Sequence, residues 1–138
     1  MKGLTIKELN IGDTASFQKT ITETDVYLYA GITGDLNPAH INQVEAETTM
    51  FKGRIAHGML TAGLVSAVLG MQLPGPGSIY LGQELKFLAP VRMGDTIKAE
   101  VEVIEKIEEK NRIKLNTICT NQNGVEVLKG IATIMPPK

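Results

Sequence analysis

Apolar and polar residues alternate strictly in the segment TIKAEVEV, at residues 96–103. Alternation with a period of two predicts a β-strand that buries one face and leaves the other face in solvent. The same pattern returns at residues 112–120, which predicts a second half-buried strand. The residues predicted to be buried are Ile97, Ala99, Val101 and Val103 in the first strand and Ile113, Leu115 and Cys119 in the second.

Three other segments, at residues 14–21, 78–88 and 125–135, also have the composition of strands. The last of these follows Asn123-Gly124, a dipeptide typical of tight hairpin turns. Between the two alternating strands lies the charge-rich segment EKIEEKNR, at residues 105–112. We interpret that segment as a solvated turn.

The segment GMLTAGLVSAVLG, at residues 58–70, predicts a long helix. It is apolar on nearly all sides, which indicates a helix covered on most sides by the rest of the protein. No Asp, Glu, Lys or Arg occurs between Ile55 and Gln83. A membrane span would need about 20 apolar residues, whereas this apolar segment stops at Pro74. We therefore expect a helix buried inside a globular fold.

A shorter helix is predicted at residues 25–33. Thr22 stands three residues before Asp25, a spacing typical of helix starts, and Gly34 is placed to end the helix. Residues 35–57 are polar and irregular in pattern, and we expect at most one or two helical turns there, near residues 42–49.

These elements predict an α+β fold in which a mostly antiparallel sheet curls around one long helix. A chain of 138 residues fits one domain, residues 1–138. The net charge of −1 shows no basic excess, so we expect neither a nucleic-acid partner nor an anionic membrane. The single cysteine, Cys119, rules out an internal disulfide and fits a reducing, cytoplasmic compartment. The N-terminal residues lack the apolar core of a signal peptide.

The heptapeptide GDLNPAH, at residues 34–40, contains the first candidate chemistry. Asp35 follows the predicted helix end, whose partial negative charge should make its carboxylate a better base. Pro38 favours an extended Asn37 and stiffens the connection to His40, which suits a converging acid–base pair. Asp and Asn before Pro are also common turn formers, so a plain turn is the alternative.

A second motif, AHGML at residues 56–60, places Gly58 where the long helix begins. Free backbone N–H groups at that end favour negative charge, and glycine allows a ligand to approach closely. A carbonyl oxygen that gains charge during a reaction would be stabilised there. Alternatively, Gly58 only allows tight packing of the helix.

Together, YAGITGDLNPAH, IAHGMLTAGLVSAVLG and GSIYLGQELKFLAPVRMGD resemble the MaoC-like family, and within it the (R)-specific enoyl-CoA hydratases, or hydratase 2. The resemblance runs from about residue 10 to residue 134. It implies a hot-dog fold, in which a curved antiparallel sheet wraps a central helix. It also implies reversible addition of water to a trans-2-enoyl-CoA, giving (R)-3-hydroxyacyl-CoA, in fatty acid or polyhydroxyalkanoate metabolism.

The resemblance assigns roles to particular residues. It implies that Asp35 and His40 are the catalytic pair, with Asp35 the base towards water, and that the N–H of Gly58 holds the thioester oxygen. Asn37 would orient the loop, and Ser66 would contact the site or else fill the core. We also predict that Leu69 lines a small acyl pocket.

His57 precedes the oxyanion glycine, and we interpret it as a structural residue that supports the helix start. A metal site built from Asp35, His40 and His57 is not indicated, because the spacing of these residues along the chain matches no local metal-ligand motif. Hence we expect no metal and no cofactor, since coenzyme A belongs to the substrate. Arg54 and Lys86 are candidates for contacts to its phosphates.

Three alternatives remain at this level: an acyl-CoA thioesterase of the same fold, an acyl-carrier-protein dehydratase, and a non-catalytic acyl-CoA-binding module. The last would not need both Asp35 and His40. Because the chain holds a single hot-dog unit, the resemblance also implies a homodimer with sites near the interface.

Overall fold

The computed structural model describes all of residues 1–138 and contains five strands and four α-helices. In chain order they are β1 (Thr14–Thr20), α1 (Glu23–Thr33), α2 (Pro38–Ile41), α3 (Gln43–Ala46), α4 (Gly58–Met71), β2 (Ile79–Phe87), β3 (Thr96–Ile107), β4 (Arg112–Thr120) and β5 (Glu126–Met135). A 3-10 turn at Glu108–Lys110 joins β3 to β4.

All five strands form one sheet in the order β1-β3-β4-β5-β2, and every neighbouring pair is antiparallel. The sheet wraps α4, which packs mainly against β3 and also against β1, β4 and β5. This is the hot-dog arrangement, so the predicted α+β fold is confirmed.

The predicted alternation of β3 and β4 is confirmed side chain by side chain. In β3 the buried positions are Ile97, Ala99, Val101 and Val103, all 0% exposed, and in β4 they include Ile113, Leu115 and Cys119. Ala99 lies opposite Cys119 in the ladder, and Val103 lies opposite Leu115. These residues meet α4 through Val65, Val68 and Leu69 in a single hydrophobic core. Alternation therefore predicted the core face correctly.

The solvated turn predicted at residues 105–112 is wrong in its bounds. β3 continues to Ile107, and β4 already begins at Arg112. A register shift between Val103 and Glu105 interrupts the two-residue period, because a β-bulge inserts one extra residue into one strand. The charged pattern therefore resembles a turn, although only residues 108–111 leave the ladder.

The long helix is less completely covered than its composition predicts. One face of α4 is buried and carries Thr61, Leu64, Val65, Val68 and Leu69. The other face, with Met59, Gly63, Ser66 and Gly70, is exposed. The reason is geometric, since a single sheet can wrap a helix from one side only. None of the helices has the length and apolar character needed to cross a membrane.

Candidate active site

The end of α1 sets the position of Asp35. Thr22 accepts a hydrogen bond from the Asp25 N–H while Asp25 accepts one from the Thr22 N–H, which confirms the predicted helix start. Gly34 ends the helix in the left-handed conformation (φ 82°), with its N–H donating to Ala30 O. Glycine adopts this conformation at little cost. Asp35 therefore follows the helix C-terminus directly, as expected.

The GDLNPAH segment is more ordered than the irregular loop expected from its pattern. Asn37 has φ −53° and ψ 126°, and its Oδ1 accepts the Ala39 N–H at 3.0 Å, so it caps the short helix α2. Pro38 occupies the first turn of α2, where its missing N–H costs nothing. Asp35 Oδ1 accepts the Asn37 N–H at 3.3 Å. These local hydrogen bonds hold Asp35 and His40 at opposite ends of one small rigid turn.

His40 is oriented by the backbone of a distant segment. Its Nδ1 lies 2.7 Å from Ile55 O, and a carbonyl oxygen can only accept, so Nδ1 carries the hydrogen. In return, the Ile55 N–H donates to Ala39 O at 3.1 Å. The neutral His40 ring therefore has its lone pair on Nε2. This makes His40 an acceptor at that atom.

Asp35, His40 and His57 form one cluster, with one ligand-type atom from each lying within 4.8 Å of the others. The Asp35 side chain is half exposed (51%), whereas His57 is almost fully buried. His57 Nε2 lies 2.9 Å from Asp35 O and 4.0 Å from Asp35 Oδ2. The His40 and His57 rings stack with centroids 3.8 Å apart. Residues 22 positions apart in the chain thus meet at one point.

This cluster lines a cavity of about 490 Å³ whose walls are mostly apolar. Phe87, Leu88, Val91 and Leu128 are among the wall residues. Pockets of this size, with a few convergent polar groups, are typical of small-molecule sites. The geometry thus places an imidazole and a carboxylate against a space that fits an apolar ligand.

Gly58 lines the same cavity and begins α4. As the first helical residue it has a backbone N–H without an acceptor in the preceding turn. A Cβ at this position would lie 2.6 Å from the Phe87 ring. The tight-packing explanation for this glycine therefore holds, with Phe87 of β2 as the neighbour.

The cavity wall contains one polar group that the sequence did not indicate. Thr61 lies one turn into α4, is 2% exposed, and its hydroxyl has no hydrogen-bond partner. His57 Nδ1 is likewise buried and unpaired. A threonine in an apolar helix is usually a core residue, so only the folded structure identifies the unpaired Thr61 hydroxyl and the unpaired Nδ1 of His57.

Other predicted site residues lie elsewhere. Ser66 is on the exposed face of α4 and Leu69 is in the core, and neither lines the cavity. Arg54 donates to Glu23 Oε1 (2.6 Å) and Tyr27 Oη (2.7 Å), and its hydrogen bond lowers the pKa of Glu23. Lys86 lies opposite Lys129 in the ladder between β2 and β5, outside the cavity.

The cluster brings together three metal-ligating side chains that have no local spacing in the sequence. Two of its ring nitrogens, His40 Nδ1 and His57 Nε2, already face carbonyl oxygens. The two rings stack instead of converging on one point. A metal held by three protein ligands needs them to converge at about 2.0–2.2 Å. This arrangement does not fit such a site.

Comparison with known proteins shows which family and which relatives this chain resembles. Residues 8–123 match the family described as "MaoC like domain". An (R)-specific enoyl-CoA hydratase of Rhodospirillum rubrum is 53% identical over 131 residues, covering 95% of this chain and 90% of the relative. A 3-hydroxybutyryl-CoA dehydratase of Methylorubrum extorquens is 46% identical, covering 100% of this chain and 87% of the relative.

A solved structure gives the same result. The R-hydratase PhaJ1 from Pseudomonas aeruginosa, in its unliganded form, superimposes with a TM-score of 0.92 at 47% identity. The superposition covers 99% of this chain and 87% of that one. The similarity therefore extends over the whole fold described above.

Proposed function

This chain belongs to the MaoC-like domain family, and on that premise we propose that it is a hydro-lyase that interconverts trans-2-enoyl-CoA and (R)-3-hydroxyacyl-CoA. The observation that carries the proposal is the meeting of Asp35 and His40 at the wall of an apolar cavity. The named relatives, which cover nearly the whole chain, support the reaction class.

In the proposed mechanism, one water molecule donates a hydrogen to each member of the pair. Asp35 offers a carboxylate oxygen, and His40 offers the Nε2 lone pair that its hydrogen bond to Ile55 O leaves free. A water held by both acceptors has its own lone pair directed at C3 of the substrate. Positioning of this kind removes much of the entropic cost of the attack.

Asp35 takes the proton as the water oxygen bonds to C3. The electron pair of the C2=C3 double bond moves towards the thioester oxygen, which gains negative charge. The same cluster then returns a proton to C2, so the hydroxyl and the hydrogen add from one side. The reverse sequence eliminates water. No cofactor is assigned, because coenzyme A is part of the substrate.

The N–H of Gly58 is proposed to bind the thioester oxygen. Gly58 is the first residue of α4, at the positive end of the helix dipole, and it lines the same cavity as Asp35 and His40. A donor fixed before the reaction stabilises the developing oxyanion without further reorganisation. Asn37 acts on the reaction only through the shape of the turn.

A short acyl chain is the proposed substrate. Bulky apolar residues such as Phe87 and Leu128 line the cavity, and one relative is named for a 3-hydroxybutyryl-CoA. Leu69 and Ser66 do not line this cavity, so an acyl contact at either residue requires the acyl chain to extend beyond it, and Leu69→Ala tests this for Leu69. It should raise kcat/KM for longer enoyl-CoAs relative to crotonyl-CoA, with Leu64→Ala as the matched control on the same helix.

We further propose a homodimer. β2 is an edge strand with one unpaired side, and it presents Ile79, Leu81 and Phe87 to solvent. Unpaired, apolar strand edges are commonly covered by a partner. Because Phe87 also packs on Gly58, the site would lie near the interface. Light scattering of the purified protein measures the oligomeric state.

Incubation with crotonyl-CoA tests the function. Loss of the enoyl absorbance without release of free thiol is expected for hydration. Release of thiol would instead indicate a thioesterase, and no change in either signal would indicate a binding module. Coupling to a dehydrogenase specific for (R)-3-hydroxyacyl-CoA should draw the reaction forward, while one specific for the S isomer should give no signal.

A further inference from the structure

We infer that His57 is a positioning residue for the Asp35/His40 pair, held as the Nε2–H tautomer and acting through the backbone of Asp35 and the ring of His40. This inference rests on the proposed hydratase function for its kinetic part only. It differs from a role in starting α4, because His57 occupies the N-cap position but makes no side-chain capping hydrogen bond.

The first contact fixes the tautomer. His57 Nε2 lies 2.9 Å from the backbone oxygen of Asp35. A carbonyl oxygen has no hydrogen to give, so the hydrogen must be on Nε2. His40 is fixed in the opposite way, since its Nδ1 faces Ile55 O at 2.7 Å. The two histidines of the chain are therefore expected to be opposite tautomers.

The second contact supports the face of His40. The two rings stack at 3.8 Å with an interplanar angle of 29°. The Tyr29 ring also packs on the buried His57 imidazole, with the two ring centroids 4.6 Å apart. Ile55 O holds His40 at its edge while His57 holds it on its face, so little rotation of the catalytic ring remains.

The position of the hydrogen bond explains why this is positioning and not proton transfer. His57 bonds to the carbonyl of Asp35, while the Asp35 carboxylate oxygen Oδ2 lies 4.0 Å away. The carboxylate stays half exposed and available to water. His57 itself is 2% exposed and its Nδ1 has no partner. His57 thus orients Asp35 and His40 while the Asp35 carboxylate stays free to react.

Imidazole ¹⁵N NMR tests the tautomers without substrate. With only two histidines, the spectrum has two ring systems to assign. We expect His57 as the Nε2–H form and His40 as the Nδ1–H form at a pH where both rings are neutral. An Nδ1–H form at His57 would overturn the inference, whatever the protein's activity.

Two polar variants test whether the hydrogen-bond donor to the Asp35 carbonyl must lie at the position of His57 Nε2. The side-chain amide of Gln places its nitrogen near the position of His Nε2, while that of Asn places it near Nδ1. We expect His57→Asn to lower kcat by roughly 10- to 100-fold, as for a small misplacement of catalytic groups, with little change in KM. His57→Gln should recover a substantial part of the loss. Equal rates for the two variants would contradict a role for this hydrogen bond.

A background lacking the base separates positioning from general support of the fold. If His57 acts through the Asp35/His40 pair, His57→Asn should change kcat by less than about threefold when Asp35→Asn is already present, because both members of the pair act on one water. An equal loss in both backgrounds would show a structural role and overturn the inference. Tyr29→Phe is the matched control, since it keeps the aromatic ring that packs on His57 and removes only its hydroxyl. A wild-type protein without hydration activity would refute the proposed function instead, and the NMR result would still stand.

Discussion

The β3–β4 pair and the segment from Gly34 to His57 are stabilised in different ways. In the strand pair, alternate side chains are completely buried, and a hydrogen-bonded ladder with one bulge near Val103 joins the backbones. In the site segment only Ala46, Gly53, Ala56 and His57 are buried, and side-chain to backbone hydrogen bonds set the geometry. The strand pair therefore depends on many similar buried side chains, and the site segment depends on a few specific hydrogen bonds.

This difference predicts that the two regions respond differently to substitution. Loss of one core side chain should cost stability in proportion to the volume removed, and leave the chemistry of the folded molecules intact. Loss of one polar contact in the site segment should cost little stability and much activity. Substitutions in each region test this contrast.

The largest effect is expected for the catalytic pair. Asp35→Asn or His40→Gln should each lower kcat for crotonyl-CoA by roughly 10²–10⁴-fold, as for loss of a general acid–base group. The double variant should be little worse than either single one, because both side chains act on one water. Turnover assays and thermal unfolding of the same samples measure the two quantities. Near-normal turnover of either single variant would refute the assignment.

Leu115→Ala should give the opposite outcome. Leu115 is 0% exposed and lies opposite Val103 in the ladder. Truncation of such a side chain costs about 2–5 kcal/mol in the free energy of unfolding. Urea titration measures this loss, while kcat per folded molecule should stay near the wild-type value. A folded Leu115→Ala protein with strongly reduced kcat would show that core and site are coupled.

Asn37→Ala should produce a smaller loss in the site segment. It removes the Oδ1 acceptor that caps α2 at 3.0 Å, which costs about 0.5–2 kcal/mol of stability. Some loss of kcat is expected as well, because the turn also sets Asp35 and His40. Asn37→Ser is the matched control, since serine is also a good cap. If serine does not restore stability, the capping role is incorrect.

The smallest effect concerns alkaline pH and the sheet. Burial raises the pKa of Cys119 from 9.0 to about 12. Well below pH 9, as at pH 7, the thiol is protonated in both states and contributes no pH dependence. As pH rises through 9, the unfolded chain loses this proton first, so stability falls until about pH 12. The loss from this group at pH 9 should stay under about 1 kcal/mol.

Urea unfolding of wild type and Cys119→Ala at pH 7, pH 9 and pH 11 isolates this contribution, because titration of other groups is common to both proteins. The difference in unfolding free energy between them should shrink slightly as the pH rises. A difference that stays constant up to pH 11 would mean that Cys119 titrates normally in the folded protein.

Local sequence was sufficient for the elements and for the main motif. Period-two alternation predicted the buried faces of β3 and β4, and Thr22, Asp25 and Gly34 marked the ends of α1. These features depend on neighbouring residues only, so they can be seen in a linear pattern. The bulge near Val103 was missed because an extra residue in a strand breaks the same pattern.

Tertiary structure alone decided what surrounds the motif. The contact between His57 and Asp35, the stacking of His57 on His40, and the Phe87 ring against Gly58 join residues that are 17 to 29 positions apart. Such contacts depend on how α1, α4 and the end of β2 pack, and no local spacing records that packing. The sequence therefore identified Asp35, His40 and Gly58 as candidates, whereas the fold alone determined that His57 contacts both members of the pair. The physical reason is that propensity and periodicity act over a few residues, while the site is formed by side chains that the wrapped sheet brings together.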